Sequence, residues 1–415
     1  MSSRPNSRLF RFVITCLARC LLGLGAAGFF AGVANAGVLP EDEADLLYFR
    51  YDGGGVQVQG PSMLVRKSIG DHVSVEANYL IDMVSSASID VETSASPYTD
   101  ERTQYSLSAS FLQGKSTYTV GYVNSTESDY LAKTMYASVA HDMFGDLTTV
   151  SFSFSDGNND VFRNVKDADG HKANDPNFHQ TLETKNYSVG VSQIVTKNLI
   201  LSGQFEVITD EGWTNSPYRS VRFLIGTDQQ GQQPEKYPNT RTSNATSIRA
   251  KYFLPYRAAI DGMYRFYTDT WGVIGHTAEL GYVHPLDNAF IGGNWIFEAR
   301  LRYYTQTGAD FYQDIFPRAD FSNFMARDKE LATYSAMTTG LIATYEFKVD
   351  RFPWLSKGQV NLRYDYMAVN YDDFRDARFS LGSFGTLPDD PYAPGTEPLY
   401  KLRANIYQFY VSAFF

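Results

Sequence analysis

Charged side chains of both signs recur at strand-like spacing through the second half of this chain: Glu206, Arg249, Lys251, Asp261, Arg265, Glu279, Glu298, Arg300, Arg302, Glu346, Lys348, Arg363 and Asp365. Within each run the spacing is two or four, which puts the charges on one face of a strand. A wall of mixed sign can act in two ways. It can set up a transverse field across a wet passage and select solutes by charge and polarity, or it can tie neighbouring strands together by ion pairs that each contribute little in water. An earlier stretch offers a different wall at the same spacing, with Gln104, Ser106, Ser108, Ser110, Thr117, Thr119, Ser151, Ser153, Ser188 and Ser192 on one face. Three further arginines, Arg102, Arg219 and Arg222, lie near Tyr98 and Tyr218 in stretches that are basic and aromatic for an acidic protein. In loops folded over a mouth they would form a constriction meeting anionic solutes. The alternative is packing on a rim, or binding lipopolysaccharide phosphates.

Acid–base chemistry finds no such pattern. The six histidines scatter, and the adjacent His141 and Asp142 point to opposite faces of a strand, so neither orients the other. No catalytic residue is expected, and a rim-located hydrolase stays as the least favoured alternative. The acidic runs Asp156 to Asp160 and Asp167 to Gly170 carry oxygen ligands of the kind Ca2+ takes, but Phe178 stands where an EF-hand loop needs Glu. A solvated loop is the reading preferred, with no metal and no cofactor. Both cysteines, Cys16 and Cys20, precede residue 37, which leaves no thiol for disulfides, thiolate metal sites or nucleophilic catalysis in the rest of the chain.

The elements that position these walls are about sixteen strands, expected near 45-52, 56-68, 71-84, 103-113, 116-126, 129-143, 146-157, 181-195, 198-210, 242-254, 258-270, 273-286, 290-307, 331-350, 358-371 and 401-415. From Val73 to Met83 the residues Val73, Val75, Ala77, Tyr79, Ile81 and Met83 oppose Ser74, Glu76, Asn78 and Asp82. The connections sort by length. Gly70-Asp71, Gly114-Lys115, Gly145-Asp146, Thr196-Lys197, Pro255 to Arg257, Asp287 to Ala289 and Arg351 to Lys357 are short, while the alternate set holds every long stretch, 85-102, 158-180, 211-241, 308-330 and 372-400, with short members at Gly53 to Gly55, around Ser125 to Ser128 and at Trp271-Gly272. Short turns at one end and long loops at the other are what an outer-membrane barrel shows and a soluble sandwich has no reason to show.

The two ends of the chain agree. Arg4, Arg8, Arg11 and Arg19 precede the apolar run Leu21 to Val33 and the small-residue site Ala34-Asn35-Ala36, which reads as a secretory signal peptide over 1-36. Residues 37-44 would follow as a periplasmic segment, and 45-415 as the barrel. Removing four arginines takes the formal charge from -10 to -14, which excludes nucleic acid as a partner. After that leader no segment is long and apolar enough for a membrane helix. Aromatic residues reach 15% at a mean hydropathy of only -0.29, as expected when lipid-facing and lumen-facing residues alternate. At the C-terminus Tyr407, Phe409, Val411, Ala413 and Phe415 share one face, the closing strand of a barrel and its signal to the barrel-assembly machinery. Upstream the phase slips, with Leu402, Ala404 and Ile406 on the other face, which calls for a bulge near Asn405 to Tyr407 or for the strand to have left the membrane. The expected fold is therefore all-β, a transmembrane antiparallel up-and-down barrel in the outer membrane of a Gram-negative cell, facing lipids and lipopolysaccharide. Its function is expected to be a pore for small polar or charged solutes or an export conduit, or alternatively a structural or assembly partner of periplasmic proteins.

Several stretches carry a resemblance. Tyr79 to Val91 with Ala95-Ser96-Pro97-Tyr98 and Glu101-Arg102, Ser216 to Phe223, Tyr264 to Gly272, and Arg302 to Gln306 with Ala309 to Tyr312 together resemble the Gram-negative family catalogued as domain of unknown function 3570. The resemblance implies an outer-membrane barrel and no established activity. It also implies gene neighbours encoding a small lipoprotein, a thioredoxin-like protein and a flavin-attaching enzyme, hence a small lipoprotein or a thioredoxin-like protein as a periplasmic partner.

Overall fold

The structure, a computed structural model, describes residues 37–86, 98–166, 172–226, 229–287, 293–348, 355–381 and 392–415. The expected leader over 1-36 lies outside them. In chain order the strands are β1 (Glu43–Gly53), β2 (Val56–Ile69), β3 (Val73–Ser86), β4 (Tyr98–Gln113), β5 (Ser116–Thr126), β6 (Tyr130–Met143), β7 (Thr148–Lys166), β8 (Lys172–Thr196), β9 (Leu199–Gly212), β10 (Ser220–Ile225), β11 (Gln229–Pro234), β12 (Thr240–Phe253), β13 (Ala259–Asp269), β14 (Ile274–Asp287), β15 (Asn294–Gln306), β16 (Tyr334–Phe347), β17 (Lys357–Arg375) and β18 (Leu399–Phe414). Sixteen of them close a single antiparallel barrel, each beside its neighbour in sequence except that β9 pairs with β12. The β10–β11 hairpin stands apart from the wall. β18 returns to β1 with Glu43 opposite Phe414 and Gly53 opposite Ala404, so the sheet has no edge.

The outward face explains why this closure is needed. One apolar residue on every barrel strand (Leu46, Met63, Tyr79, Leu107, Val120, Met135, Phe152, Val189, Phe205, Ile248, Tyr264, Leu280, Leu301, Leu341, Leu362 and Phe409) is between 40 and 67% exposed. A continuous apolar belt of that extent is unfavourable in water and stable against hydrocarbon, which makes the barrel a transmembrane one. At the end that carries the termini the fully described connections are tight, and Gly70 and Gly114 take positive φ (64° and 61°) there, a conformation that costs glycine little.

The opposite end carries the long loops, and three of them turn inward. Tyr237, Ala309, Tyr312, Ala326, Leu331 and Ala332 from the loops pack on Tyr51, Val56, Val58, Val84, Val369, Tyr371, Phe374, Tyr400, Leu402 and Ala404 from the inner wall, with Trp271 and Val273 between β13 and β14. The barrel's core is thus a plug in its loop-end mouth. This accounts for the phase change in β18. Its register with β1 runs unbroken from Glu43↔Phe414 to Gly53↔Ala404, so no bulge lies near Asn405 to Tyr407. Leu402 and Ala404 face inward and are buried because the interior beside them is apolar.

Other expectations are corrected in detail. β1 begins at Glu43 and so takes the last two residues of the expected N-terminal segment 37-44, because Glu43 and Ala44 pair with Phe414 and Ala413. β4 begins at Tyr98, so Arg102 sits on a strand and not in a loop. β7 and β8 extend into the expected loop 158-180, paired as far as Lys166↔Lys172. Lys348 follows the end of β16 and is exposed, outside the wall to which it was assigned.

Candidate functional site: the lumen and its mouth

Strand alternation sends the remaining predicted charges inward, and the barrel brings them into one four-residue chain and several separate pairs on β9 and β12–β17. Arg249 bonds Asp261 at 3.2 Å and lies 3.8 Å from Glu279, which in turn lies 3.3 Å from Arg302. Arg265 reaches Glu206 at 3.3 Å, and Glu206 also accepts a hydrogen bond from Asn186 Nδ2 at 2.8 Å. Arg300 pairs with Glu298 on its own strand, Arg363 donates to Asp365 at 2.6 Å, and Gln359 donates to Glu346 at 2.5 Å. Lys251 stands opposite Asp261 in register. These five arginine side chains keep 30 to 49% exposure, so the pairs are hydrated and individually weak, and they still line the interior with fixed charge.

On the other side, β4–β8, the inner face is short and hydroxylic. Ser110 and Thr119 lie 2.8 Å apart, and Ser188 accepts from Gln204 Nε2 at 2.9 Å. Tyr136 lies across Gly121, where an added Cβ would fall 2.3 Å from the ring, so only glycine lets the aromatic lie flat on this wall. Several buried lumen atoms have no protein partner, among them Asp45 Oδ1, Gln104 Oε1, Asp261 Oδ2 and Asn361 Nδ2. Leaving them dry is costly, whereas water in the lumen satisfies them.

The three mouth arginines are all buried. Arg102 on β4 pairs with Asp82 opposite it on β3, with both side chains under 10% exposed. Beside them, in the β5–β6 connection, burial pushes the Glu127 carboxyl up to about 8; Arg102 opposes that rise, and Asp129, Asp100 and Asp82 add to it. Arg219 is salt-bridged to Asp328, also in the interior. Arg222 on β10 donates to Glu397 at 2.5 and 3.1 Å, to the Asp314 carbonyl at 3.0 Å and to the Asp314 carboxylate. Burial alone would lower its pKa, and Asp314 and Glu397 reverse that and raise it. Arg327 completes the cluster at 3.1 Å from Asp314, with its guanidinium 4.5 Å over the Phe374 ring. Arg219 and Arg222 thus face carboxylates of other loops and not an open mouth. What they constrict is the plug itself: the network joins the loop after β9, the loop after β15 and the loop before β18. Sequence reasoning missed Asp314, Arg327, Asp328 and Glu397. The available signal was complementary charge, since acidic residues in two loops balance the arginines of a third.

Among the described histidines, His72 lies at a tight turn, His141, His276 and His284 on the outer surface, and His179 in the projecting part of β8; His171 lies outside the described residues. His141 Nδ1 is 2.8 Å from Ser116 Oγ, His179 Nε2 is 2.8 Å from Asp160, and His276 Nδ1 is 2.7 Å from the Tyr264 hydroxyl. Each is a pair, with no third group among the described contacts that would orient the base for nucleophilic catalysis. No cluster of three or more His, Cys, Asp or Glu suited to a metal occurs among the described residues.

Residues 21–389 match the model of a family described as a protein of unknown function (DUF3570). This chain belongs to that family. The DUF3570 chain has no match among curated proteins. Among solved structures it is similar to a bacterial polysaccharide outer membrane secretin, with 7% identity, 91% of this chain and 100% of that one covered, and a TM-score of 0.47. It is also similar to OccK7 (OpdD) of Pseudomonas aeruginosa (13% identity, 90% and 98% covered, TM-score 0.41) and to a Pseudomonas aeruginosa FadL homologue (10%, 91% and 91%, TM-score 0.40).

Proposed function

We propose that the protein is an outer-membrane pore for small polar solutes whose resting state is closed at the extracellular mouth. The observation that carries this reading is the contrast along the barrel axis: a hydrated lumen walled by hydroxyls and fixed charge lies under an apolar, ion-paired plug made of loops. A purely structural barrel gains nothing from unsatisfied polar atoms inside, whereas a passage needs them. The loop end would face the cell exterior and the tight turns the periplasm, as in other barrels of this class. The three plug loops are tied to one another more than to the hydroxylic wall, so they can move as a unit while the sixteen-strand wall stays closed.

The test is conductance in a planar bilayer. The folded protein should show long closures with rare openings, and a variant lacking the plug portion of the loop after β15, residues 309–330, should conduct continuously. If that variant is as silent as the intact protein, the pore reading fails.

A further inference from the structure

The plug is hung from one side of the barrel. Members of its apolar cluster come from β1, β2, β3, β13, β16, β17, β18 and the loops, and none of the described members comes from β4 to β9. On that opposite side the plug meets polar groups. Tyr218, in the loop after β9, donates its hydroxyl to Asp129 Oδ2 at 2.9 Å and accepts from the Asn164 backbone N–H at 2.6 Å. Asn164 Nδ2 donates in turn to Ser128 at 2.9 Å. An apolar seam and a short polar seam respond differently to opening. Water replaces lost hydrogen bonds, so the polar seam opens at a net cost of about 1–3 kcal/mol per bond, while separating the apolar seam exposes a large area to water and costs more.

The geometry points to a passage that opens along the β4–β8 wall, with the Tyr218 hydroxyl as its latch, and that takes neutral polyhydroxylated solutes. The wall below the polar seam is the one built of Ser106, Ser108, Ser110, Ser153 and Ser188, whose hydroxyls both donate and accept, as a sugar's do. The facing wall is charged, but each of its five arginines is paired with an acid. An ion passing there would have to compete with those pairs, whereas a neutral solute on the hydroxyl side would not. This inference rests on the pore reading and adds to it the lane, the latch and the solute class.

The experiment is efflux of a neutral trisaccharide and of a singly charged dye of similar size from proteoliposomes. Tyr218→Phe keeps the ring and removes the hydroxyl, and should raise trisaccharide efflux about tenfold, the effect of losing one hydrogen bond to a charged acceptor. In that background Ser153→Trp should block efflux, while Thr338→Trp, inward on the opposite wall, should not. Because Cys16 and Cys20 both lie in the expected leader, single cysteines placed at Ser108 or at Thr338 give a second readout that does not depend on flux. Ser108→Cys should be labelled faster by a neutral thiol reagent once Tyr218→Phe is present, and Thr338→Cys should not. A block by Thr338→Trp alone, dye efflux exceeding trisaccharide efflux, or no effect of Tyr218→Phe on labelling would overturn the lane and the latch while leaving a pore. Silence of the 309–330 deletion as well would overturn the pore.

Discussion

Replacing Arg222 by alanine tests the closed mouth most directly. Its side chain is 4% exposed and serves Asp314 and Glu397, and Glu397 is fully buried. Arg222→Ala leaves Asp314 with Arg327 at 3.1 Å but removes the guanidinium from Glu397. Stranding one buried charge costs about 3–5 kcal/mol. At 1.36 kcal/mol per factor of ten, the closed-to-open ratio should fall by about a hundredfold to a few thousandfold. The sixteen-strand ring of hydrogen bonds does not involve Arg222, so the melting temperature of the barrel should stay near wild type while the plug loosens. Single-channel recording reads the open fraction, and limited proteolysis of the loop containing Asp314 reads plug order independently. Adding Glu397→Gln to Arg222→Ala should recover part of the closed fraction, because the stranded charge is then gone. The reasoning is refuted if Arg222→Ala changes neither open fraction nor protease protection, since a buried ion pair that can be halved without effect does not hold the plug.

Three other outcomes follow from the same structure. Glu127, with its carboxyl pushed up to about 8 from an ordinary value of 4.5, binds a proton in the folded protein that the unfolded chain releases, so its contribution to stability should decline as pH rises between those values and level off above them; the wild-type minus Glu127→Gln difference in melting temperature across that range measures it. Glu279→Gln takes the carboxylate from Arg302 and leaves Arg249 with Asp261 alone in a wet lumen, so it should cost under about 1 kcal/mol in denaturant titration while shifting the reversal potential toward anion selectivity. Leu341→Arg, on the outward face of β16 at 61% exposure, should destabilise the barrel in lipid vesicles by about 2–4 kcal/mol if that belt faces hydrocarbon, and an unchanged unfolding midpoint would mean that it does not.

The sequence by itself determined the wall. Alternation from Val73 to Met83 and the sorting of short turns from long loops depend on neighbours two residues apart and on local chain length, and both are legible without a partner because lipid and lumen impose the same period-two rule on every strand. The inward direction of Glu206, Arg249, Arg265, Glu279, Arg302 and Arg363 came with that rule. The phase slip at Leu402, Ala404 and Ile406 was visible too, but its cause was not, because a bulge and an apolar interior leave the same trace in one strand. Only the tertiary structure decided between them, through the unbroken β1–β18 register and the apolar loops packed on Leu402 and Ala404. The ties of the plug are likewise remote in sequence: Arg222 meets Glu397 across 175 positions, and Tyr218 meets Asp129 across 89. A buried ion pair is specified by two surfaces that become close only when the barrel closes, and no local pattern at Arg219 or Arg222 distinguishes a guanidinium that will face a solute from one that will face another loop.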